Sequence, residues 1–425
     1  MDGARERSTA GDSAIGRTGE IRQVATKLFE QSGYSSTTMT DIATAAGVLQ
    51  GSLYHHFASK EDIALDILRD FEDELTALAE RLSTRLRAGD ADPRDQLVAV
   101  ATAVTDLSLH SKAALRLIAY AAPSASSERF RAARELQTPA LERVWKRAVK
   151  QLVSNPDPRT QDTGLLRFAL DRLTLHSVAN APGAEGAGHL AKLQASMLLD
   201  GLVHDVPADE DLNRSEALQA ARQAITTWRE PGIPSEPTSR DHIVAAARVE
   251  FARRGFDATT VRDIADAAGV RMGTLYRRVE SKEELLAEIL SDYERHMDGA
   301  VRGALSTGDS AVASLDALGL VMVSAKRRFR LETEIVKLAD PSSKPDNQAM
   351  QAYHASTRAR LRLLEEVLER AEAAGAIRSL GVPAAVGPQI RYISWVPYQD
   401  FARASTERAH RFLRNSLLRG FLQEK

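Results

Sequence analysis

Residues 37–62 run TTMTDIATAAGVLQGSLYHHFASKED, and residues 259–284 run TTVRDIADAAGVRMGTLYRRVESKEE. Each opens with a Thr-x-x-Asp pattern, Thr38 to Asp41 and Thr260 to Asp263. That pattern predicts a capped helix, in which hydroxyl and carboxylate satisfy free backbone N–H groups reciprocally. Small apolar residues follow (Ile42, Ala45 and Ala46 in the first stretch), and then a Gly-Val pair that predicts a tight turn, Gly47-Val48 and Gly269-Val270. A second short helix is expected over about 50–55 and 272–277, and Ser59-x-x-Asp62 and Ser281-x-x-Glu284 begin a further one. Two short helices joined by a glycine turn, with small side chains where they cross, make a helix-turn-helix. Its second helix can protrude into a DNA major groove.

The likeness extends beyond these blocks. Residues 21–68 and 243–290 share 21 identities in 48 positions without a gap, so the chain is duplicated. Leu141–Trp145 falls opposite Leu363–Val367 at the same spacing of 222. Near the ends, LLDGL at 198–202 answers LLRGF at 417–421 at a spacing of 219, which suggests that a whole unit was copied. Between the copies, VPADED at 206–211 is turn-like. Leu218, Ala221, Ile225 and Trp228 form one apolar helical stripe, and PGIPSEPTSR at 231–240 is extended and helix-breaking. The expected divisions are a flexible tail 1–18, a first helix-turn-helix domain 19–65, a first helical regulatory domain 66–205, a linker with a helix 206–240, a second helix-turn-helix domain 241–287 and a second helical regulatory domain 288–425.

Periodicity elsewhere is helical. Ile21, Val24, Ala25, Leu28 and Phe29 line one face of a helix ending near Gly33. Ile243, Ala246, Ala247 and Phe251 do the same before Gly255. Leu361, Leu364, Leu368 and Ala371 form a further stripe closed by Gly375, and no convincing alternating strand is found. The fold class is all-α.

Composition narrows the function. Lys+Arg against Asp+Glu is 56 against 58, a net charge of −2 that excludes a generally polybasic protein but leaves room for local basic faces. With no cysteine, disulfide scaffolds, thiolate metal sites and thiol catalysis are excluded. No apolar run is long enough to span a membrane, and the first twenty residues lack the apolar core of a secretory signal, so a cytoplasmic protein is expected. There is no phosphate-binding glycine loop, HExxH, nucleophile elbow or spaced ligand cluster. An enzyme, a metal site or a cofactor is therefore not expected. His55 and His56 are adjacent on a helix, point apart and make no metal pair.

The outward positions of the second helices are polar or basic: Gln50, Ser52 and His55 in the first copy; Arg271, Thr274, Arg277 and Arg278 in the second. Lys60 and Lys282 open the next helix, where an ammonium and free N–H groups can meet a phosphate. Tyr54 and Tyr276 can donate to phosphate oxygens, with packing at the helix junction as the alternative. The candidate DNA-contacting residues are Thr38, Gln50, Gly51, Ser52, Tyr54, His55 and Lys60, and Thr260, Arg271, Met272, Gly273, Thr274, Tyr276, Arg277 and Lys282. Arg5, Arg7 and Arg17 could reach a minor groove, although a solvated tail is the plainer reading.

At these residues the chain resembles the TetR family of bacterial transcriptional regulators. The first copy carries the family pattern at Thr38, Ile42, Ala43, Ala46, Gly47, Val48, Gly51, Ser52, Leu53, Tyr54, His56, Phe57, Ser59, Lys60 and Glu61. The second carries it at Thr260, Ile264, Ala265, Ala268, Gly269, Val270, Gly273, Thr274, Leu275, Tyr276, Ser281, Lys282 and Glu283. It departs at Leu49 and Arg271, where a serine usually opens the second helix, and at Arg278-Val279, where His-Phe is usual. The resemblance implies two tandem units. Each would be an N-terminal DNA-binding head followed by a helical ligand-binding and dimerisation-like bundle, and together they would form a ligand-responsive repressor.

Family members act as homodimers, so two fused units would imitate one dimer in a single chain. A homodimer of the fused chain, with four heads, stays open. Half-site heads lie about 34–36 Å apart. A junction helix of about 17 residues spans roughly 25 Å, and ten extended residues add up to about 35 Å, so the tether reaches. The unlike second helices imply an asymmetric double-stranded operator, with guanine under the second copy through Arg271 or Arg277. The alternative is that one degenerate head docks a partner protein.

For the unidentified small-molecule effector, the suggestive segment is Arg391, Tyr392, Trp395, Tyr398 and Phe401, interrupted by Pro397. Ordinary core packing is the plainer reading. Its counterpart carries Phe168, Leu173 and His176, and His176 alone fits a satisfied core residue. A mostly apolar pocket with one cation would suit an acyl or aromatic acid. Around Gly188–Val203 and Ser405–Phe421 lie the expected joining faces.

Overall fold

The computed structural model describes residues 16–34, 36–89, 91–120, 128–136, 138–176, 186–228, 240–338, 347–381, 383–395 and 404–422. Among the described residues the regular elements are helical, with one isolated bridge between Val203 and Ile377.

The first head is α1 (Arg17–Ser32), α2 (Met39–Ala45) and α3 (Gln50–His56), closed by α4 (Lys60–Ala88). α1 buries Ile21, Ala25 and Phe29, and its chain leaves at Gly33 with φ of 80°. Ile42 and Ala43 of α2 and Leu53 of α3 are buried, and Gly47, at φ 64°, makes the turn between them. Only glycine enters that region without a steric cost. α4 is 29 residues long and runs unbroken past residue 65 into the bundle, so head and bundle share a helix across the expected boundary. The first bundle adds α5 (Pro93–His110), α6 (Lys112–Tyr120), α7 (Glu128–Arg134), α8 (Pro139–Leu152), α9 (Thr163–His176) and α10 (Ala187–Leu199). α8 packs on α4, α5 and α9 with Trp145 fully buried.

The junction holds α11 (Asp209–Arg214) and α12 (Glu216–Thr226). The second head repeats the first as α13 (Arg240–Arg254), α14 (Val261–Ala267) and α15 (Met272–Tyr276), closed by α16 (Lys282–Leu305). α17 (Ala311–Arg328), α18 (Arg330–Leu338), α19 (Gln348–Ala373), α20 (Pro383–Trp395) and α21 (Thr406–Leu413) complete the second bundle, with a π-helical turn over Arg414–Leu418. α20 carries Pro388 inside it, whereas the helix-interrupting Pro397 and Phe401 lie outside the described residues.

The junction helix corrects one expectation. It is no free strut: α12 lies on α16 and α17, burying Leu218 and Ala221, and Trp228 just beyond it packs its ring 5.1 Å from Phe329. Asp309 accepts a hydrogen bond from the backbone N–H of Ala217 in the first turn of α12. The apolar stripe read as a linker helix is thus an additional layer of the second bundle, because burial of that stripe outweighs leaving it in water. Packed on α16 and α17, this helix adds no reach between the two heads. The remaining stretch, 229–239, lies outside the described residues.

The halves meet where LLDGL and LLRGF lie. The backbone N–H of Leu202 donates to Leu417 O (2.7 Å) and that of Phe421 donates to Leu198 O (3.0 Å). Val203 donates to Leu418 O (3.1 Å) and Leu422 to Leu199 O (2.9 Å). At a spacing of 219 each bond maps onto its partner with donor and acceptor halves exchanged, which is the reciprocity of a two-fold contact. Beside it, Gln194 pairs with Gln389 at 2.9 Å, and Arg408 reaches Asp162 at 2.7 Å. Arg378 donates to Gly201 O, and its backbone N–H bonds to Leu202 O at 2.8 Å. The joining faces expected around Gly188–Val203 and Ser405–Phe421 meet through their C-terminal ends.

Candidate nucleic-acid interface

Each head is built the same way. Thr38 Oγ1 accepts from the Asp41 backbone N–H (3.1 Å), while Asp41 Oδ2 accepts from the Thr38 N–H (2.8 Å). Thr260 and Asp263 repeat this at 3.1 and 2.9 Å. Hydrogen bonds from Thr38 and Thr260 hold both carboxyls below their usual range. The two threonines thus carry a capping role, whatever else they touch. The capped helices set the turn glycines, Gly47 and Gly269, both at φ 64°.

The second helices stand clear of the heads. Leu53 and Leu275 anchor α3 and α15 in the core, at 0% and 1% exposure. Gln50, Gly51, Ser52, Tyr54 and His55 are exposed, as are Arg271, Gly273, Tyr276, Arg277 and Arg278, and Met272 and Thr274 are half-buried. Tyr54 and Tyr276 carry 48% and 57% of their surface in water, so neither is packed away at the helix junction. The Arg277 guanidinium donates to Thr274 Oγ1 at 3.3 Å, which steadies it along the outer face. Gly51 and Gly273 have open space where a Cβ would project. Neither recognition helix receives a side-chain cap from Leu49 or Arg271, the loss that the missing serine implies.

Lys60 and Lys282 differ from the phosphate-contact expectation. Lys60 Nζ donates to Tyr34 O and Thr37 O, both at 2.7 Å, and lies 4.4 Å from the centroid of the Tyr34 ring. Lys282 Nζ donates to Phe256 O (3.0 Å) and Thr259 O (3.2 Å), 4.4 Å from the Phe256 ring centroid. Both ammoniums are turned inward, clamping the loop between the first two helices of each head onto the helix that closes it. Burial lowers the Lys60 pKa, opposed by Asp41. Arg17 is likewise engaged locally, with Glu20 at 2.5 Å and Ala46 O at 3.2 Å; Arg5 and Arg7 lie outside the described residues.

Each head is fastened to its bundle differently. In the first, Glu30 Oε1 accepts from the Ala113 N–H at the start of α6 (3.2 Å), and Arg116 donates to Glu30 O. In the second, Arg248 of α13 and Glu332 of α18 form an ion pair at 3.0 Å, with 10% and 5% of their side chains exposed. No spacing signal pointed to that pair.

The bundle interiors also differ. On α9, burial raises Asp171 to about 6. His176 is lowered to about 3 by burial and by the Arg172 and Lys337 charges, so it is neutral. Its Nε2 lies 3.3 Å from Arg172 Nη1, and the Arg172 guanidinium lies 5.4 Å from the Phe168 ring centroid. In the second bundle Tyr392 is buried with the Arg391 guanidinium 5.0 Å from its ring centroid. Trp395 ends α20, and Tyr398 lies outside the described residues. A cluster that sequence reading missed lies nearby: Tyr293, stacked on Tyr353 (6.3 Å) and edge-on to Phe329 (5.2 Å). Burial raises both tyrosine hydroxyls above their ordinary pKa. Its placement on two separate helices, α16 and α19, and on the turn between α17 and α18 hid it.

Each of the two heads is a helix-turn-helix with an exposed second helix, the architecture of a DNA-binding domain. The family described as bacterial regulatory proteins, tetR family, matches residues 21–67 and 243–289, so the chain carries that family's DNA-binding domain twice, once in each head. It is 37% identical over 115 residues to the HTH-type transcriptional repressor KstR2 of Mycolicibacterium smegmatis, covering 27% of this chain and 55% of that one. It is 52% identical over 67 residues to KstR2 of Rhodococcus jostii, covering 16% and 32%. The chain thus spans about half or less of the length of these curated relatives. A solved structure of the ketosteroid transcriptional regulator KstR2 of Mycobacterium tuberculosis aligns with 44% of this chain and 93% of its own, at 28% identity and a TM-score of 0.34. Among the described residues no helix is long and apolar enough to cross a membrane.

Proposed function

We propose that this chain is a ligand-responsive transcriptional repressor that works as an intramolecular pseudo-dimer on an asymmetric operator. The observation that carries this reading is the reciprocal set of backbone hydrogen bonds between 198–203 and 417–422, the kind of contact that a homodimer makes between two chains. The unlike second helices, LQGSLYHH over 49–56 and RMGTLYRR over 271–278, give the asymmetry its chemistry. An uncharged amide-bearing surface suits adenine, and arginine suits guanine. The second head keeps its capping box, its turn glycine and exposed arginines, which favours a DNA reader over a head devoted to a protein partner.

An effector acts here by population shift, changing DNA affinity only as far as it prefers one head arrangement over another. The charged interior around Asp171, Arg172 and His176 and the aromatic interior around Tyr293, Tyr353 and Tyr392 suit different ligands, so one chain can integrate two signals. Calorimetry in which one ligand fills two equal sites would count against that. The governing test is selection of binding sites from genomic DNA with purified protein, then the mass of the complex on the winning site. One chain on two unlike half-sites supports the proposal. A perfect palindrome bound by two chains through one kind of head overturns it.

A further inference from the structure

We infer that Leu49 is a specificity-determining residue of the first head, and that it reads the C5-methyl group of a thymine in the major groove. The inference rests on the reading of that head as a DNA reader and adds which base it recognises, and through what contact. Leu49 is 84% exposed, against 48% for Tyr54, 47% for Val249 and 57% for Tyr276, the other large exposed hydrophobics among the described residues. It precedes α3 with φ −68° and ψ 144°, the position where Ser, Thr, Asp or Asn would cap the helix, and its side chain makes no capping bond. The fold gains neither burial nor a hydrogen bond from leucine here. A local rule broken without structural return is expected where function sets the residue.

The second head supplies the comparison. Arg271 occupies the aligned position with nearly the same backbone, φ −73° and ψ 147°, and it too is exposed and caps nothing. One backbone position therefore presents an apolar branched side chain on one head and a bidentate donor on the other. In the major groove the apolar feature that distinguishes one base is the thymine methyl, and the feature matched to arginine is the guanine O6/N7 pair. Leu49 lies beside exposed Gln50 and Ser52, whose polar atoms can hold the head in register while the leucine covers the methyl. Gln50 bound to an adjacent adenine would place an A/T-rich step under this head.

Deoxyuridine keeps thymine's pairing face and its O4 acceptor and lacks only the methyl. Once the site is selected, each thymine of the first half-site is replaced singly by dU and affinity is measured with the full chain. One position should lose about fourfold, the worth of burying a methyl-sized group. The variants Leu49→Ala and Leu49→Ser should bind the thymine and uracil sites equally, and Leu49→Ser should unfold no more readily than the parent because it restores a cap. Replacements in the second half-site should not interact with Leu49. A selected site indifferent to dU, or a Leu49→Ser protein that keeps full uracil discrimination, overturns the assignment. So does a Leu49→Ser protein whose solution mass falls while discrimination persists, which would make Leu49 a contact between copies. A chain that selects no DNA sequence overturns the DNA-binding reading itself, an outcome distinct from these.

Discussion

Gly201 and Gly420 pack backbone against backbone across the junction of the two halves, at φ 71° and 95°. A Cβ on Gly201 would lie 2.5 Å from Leu418 O, and one on Gly420 would lie 2.6 Å from Asp200 O. These glycines are needed twice over, for their conformation and for the closeness that lets Leu202 donate to Leu417 O and Phe421 to Leu198 O. Gly201→Ala and Gly420→Ala should each cost roughly 2–4 kcal/mol, from positive φ and overpacking together. Urea unfolding reads this directly, and an unchanged midpoint would show that the halves are not joined here.

Gly51 and Gly273 present the opposite case. Both sit in recognition helices, and a Cβ at either would meet nothing within 4 Å. Nothing inside the chain requires glycine. Alanine should therefore stabilise each head by up to about 1 kcal/mol. If the glycines exist so that DNA can approach the backbone closely, the same substitutions should weaken operator binding about tenfold. A thermal melt and a binding titration on one preparation test both signs. Gly51→Ala that stabilises without weakening binding would remove the close-approach explanation.

The last helix of the second bundle hangs on Asp316. Burial alone would raise its pKa, but hydrogen bonds from His410 and Arg414 take it down to about 2 from 3.8. Arg414 Nη2 reaches Asp316 Oδ2 at 2.7 Å, and His410 Nε2 lies 3.0 Å from Asp316 Oδ1. A carboxyl depressed in the folded state stabilises it above the unfolded pKa and loses that contribution as pH falls through the folded one. About 2 kcal/mol should therefore fade between roughly pH 4 and pH 2. In Asp316→Asn the urea midpoint should be lower at neutral pH and lose this part of the acid dependence. A parallel acid profile in parent and variant would contradict the assignment.

The buried Arg248–Glu332 pair should matter to one head only. Thr26 occupies the position aligned with Arg248 and donates to Arg22 O on its own helix. Glu332→Ala strands a buried guanidinium, a loss of roughly 3–5 kcal/mol where the pair is intact. Burial raises the Glu332 pKa, and Arg248 opposes that rise. Hydrogen exchange should then quicken in α13 and leave α1 unchanged. Equal loss of protection in both helices would mean that the heads open together.

Much of this architecture was legible because it is local. Thr38 and Asp41 lie three residues apart, Gly47 and Gly269 mark their own turns, and duplication exposes itself by alignment. What stayed hidden depends on chain segments far apart in sequence. Lys60 faces inward because the carbonyls of Tyr34 and Thr37 come back over it, 26 and 23 residues away. Trp228 fits any amphipathic linker helix until Phe329 is seen beneath it, and Tyr293 gains its meaning from Tyr353 on another helix. The LLDGL and LLRGF echo and the joining faces that contain it were visible, but not that the two strings meet backbone to backbone through reciprocal hydrogen bonds.

The unlike recognition helices make the salt dependence of binding diagnostic. Residues 49–56 contain no lysine or arginine, whereas 271–278 contain Arg271, Arg277 and Arg278. Each phosphate neutralised contributes about −0.9 to the slope of log affinity against log salt, while an arginine bonded to a base edge adds discrimination at one position. Arg278 follows the last turn of α15 and, being exposed, can reach the DNA backbone. Arg278→Ala should therefore weaken all sites alike and flatten the slope by about 1. Arg271→Ala should leave the slope nearly unchanged, cost about 1–3 kcal/mol on the selected site and relax one guanine position. Gln50→Ala should relax a position in the other half-site with no change in slope. If Arg271→Ala weakens every sequence equally while base preference persists, Arg271 holds phosphate, and the guanine contact must be sought at Arg277.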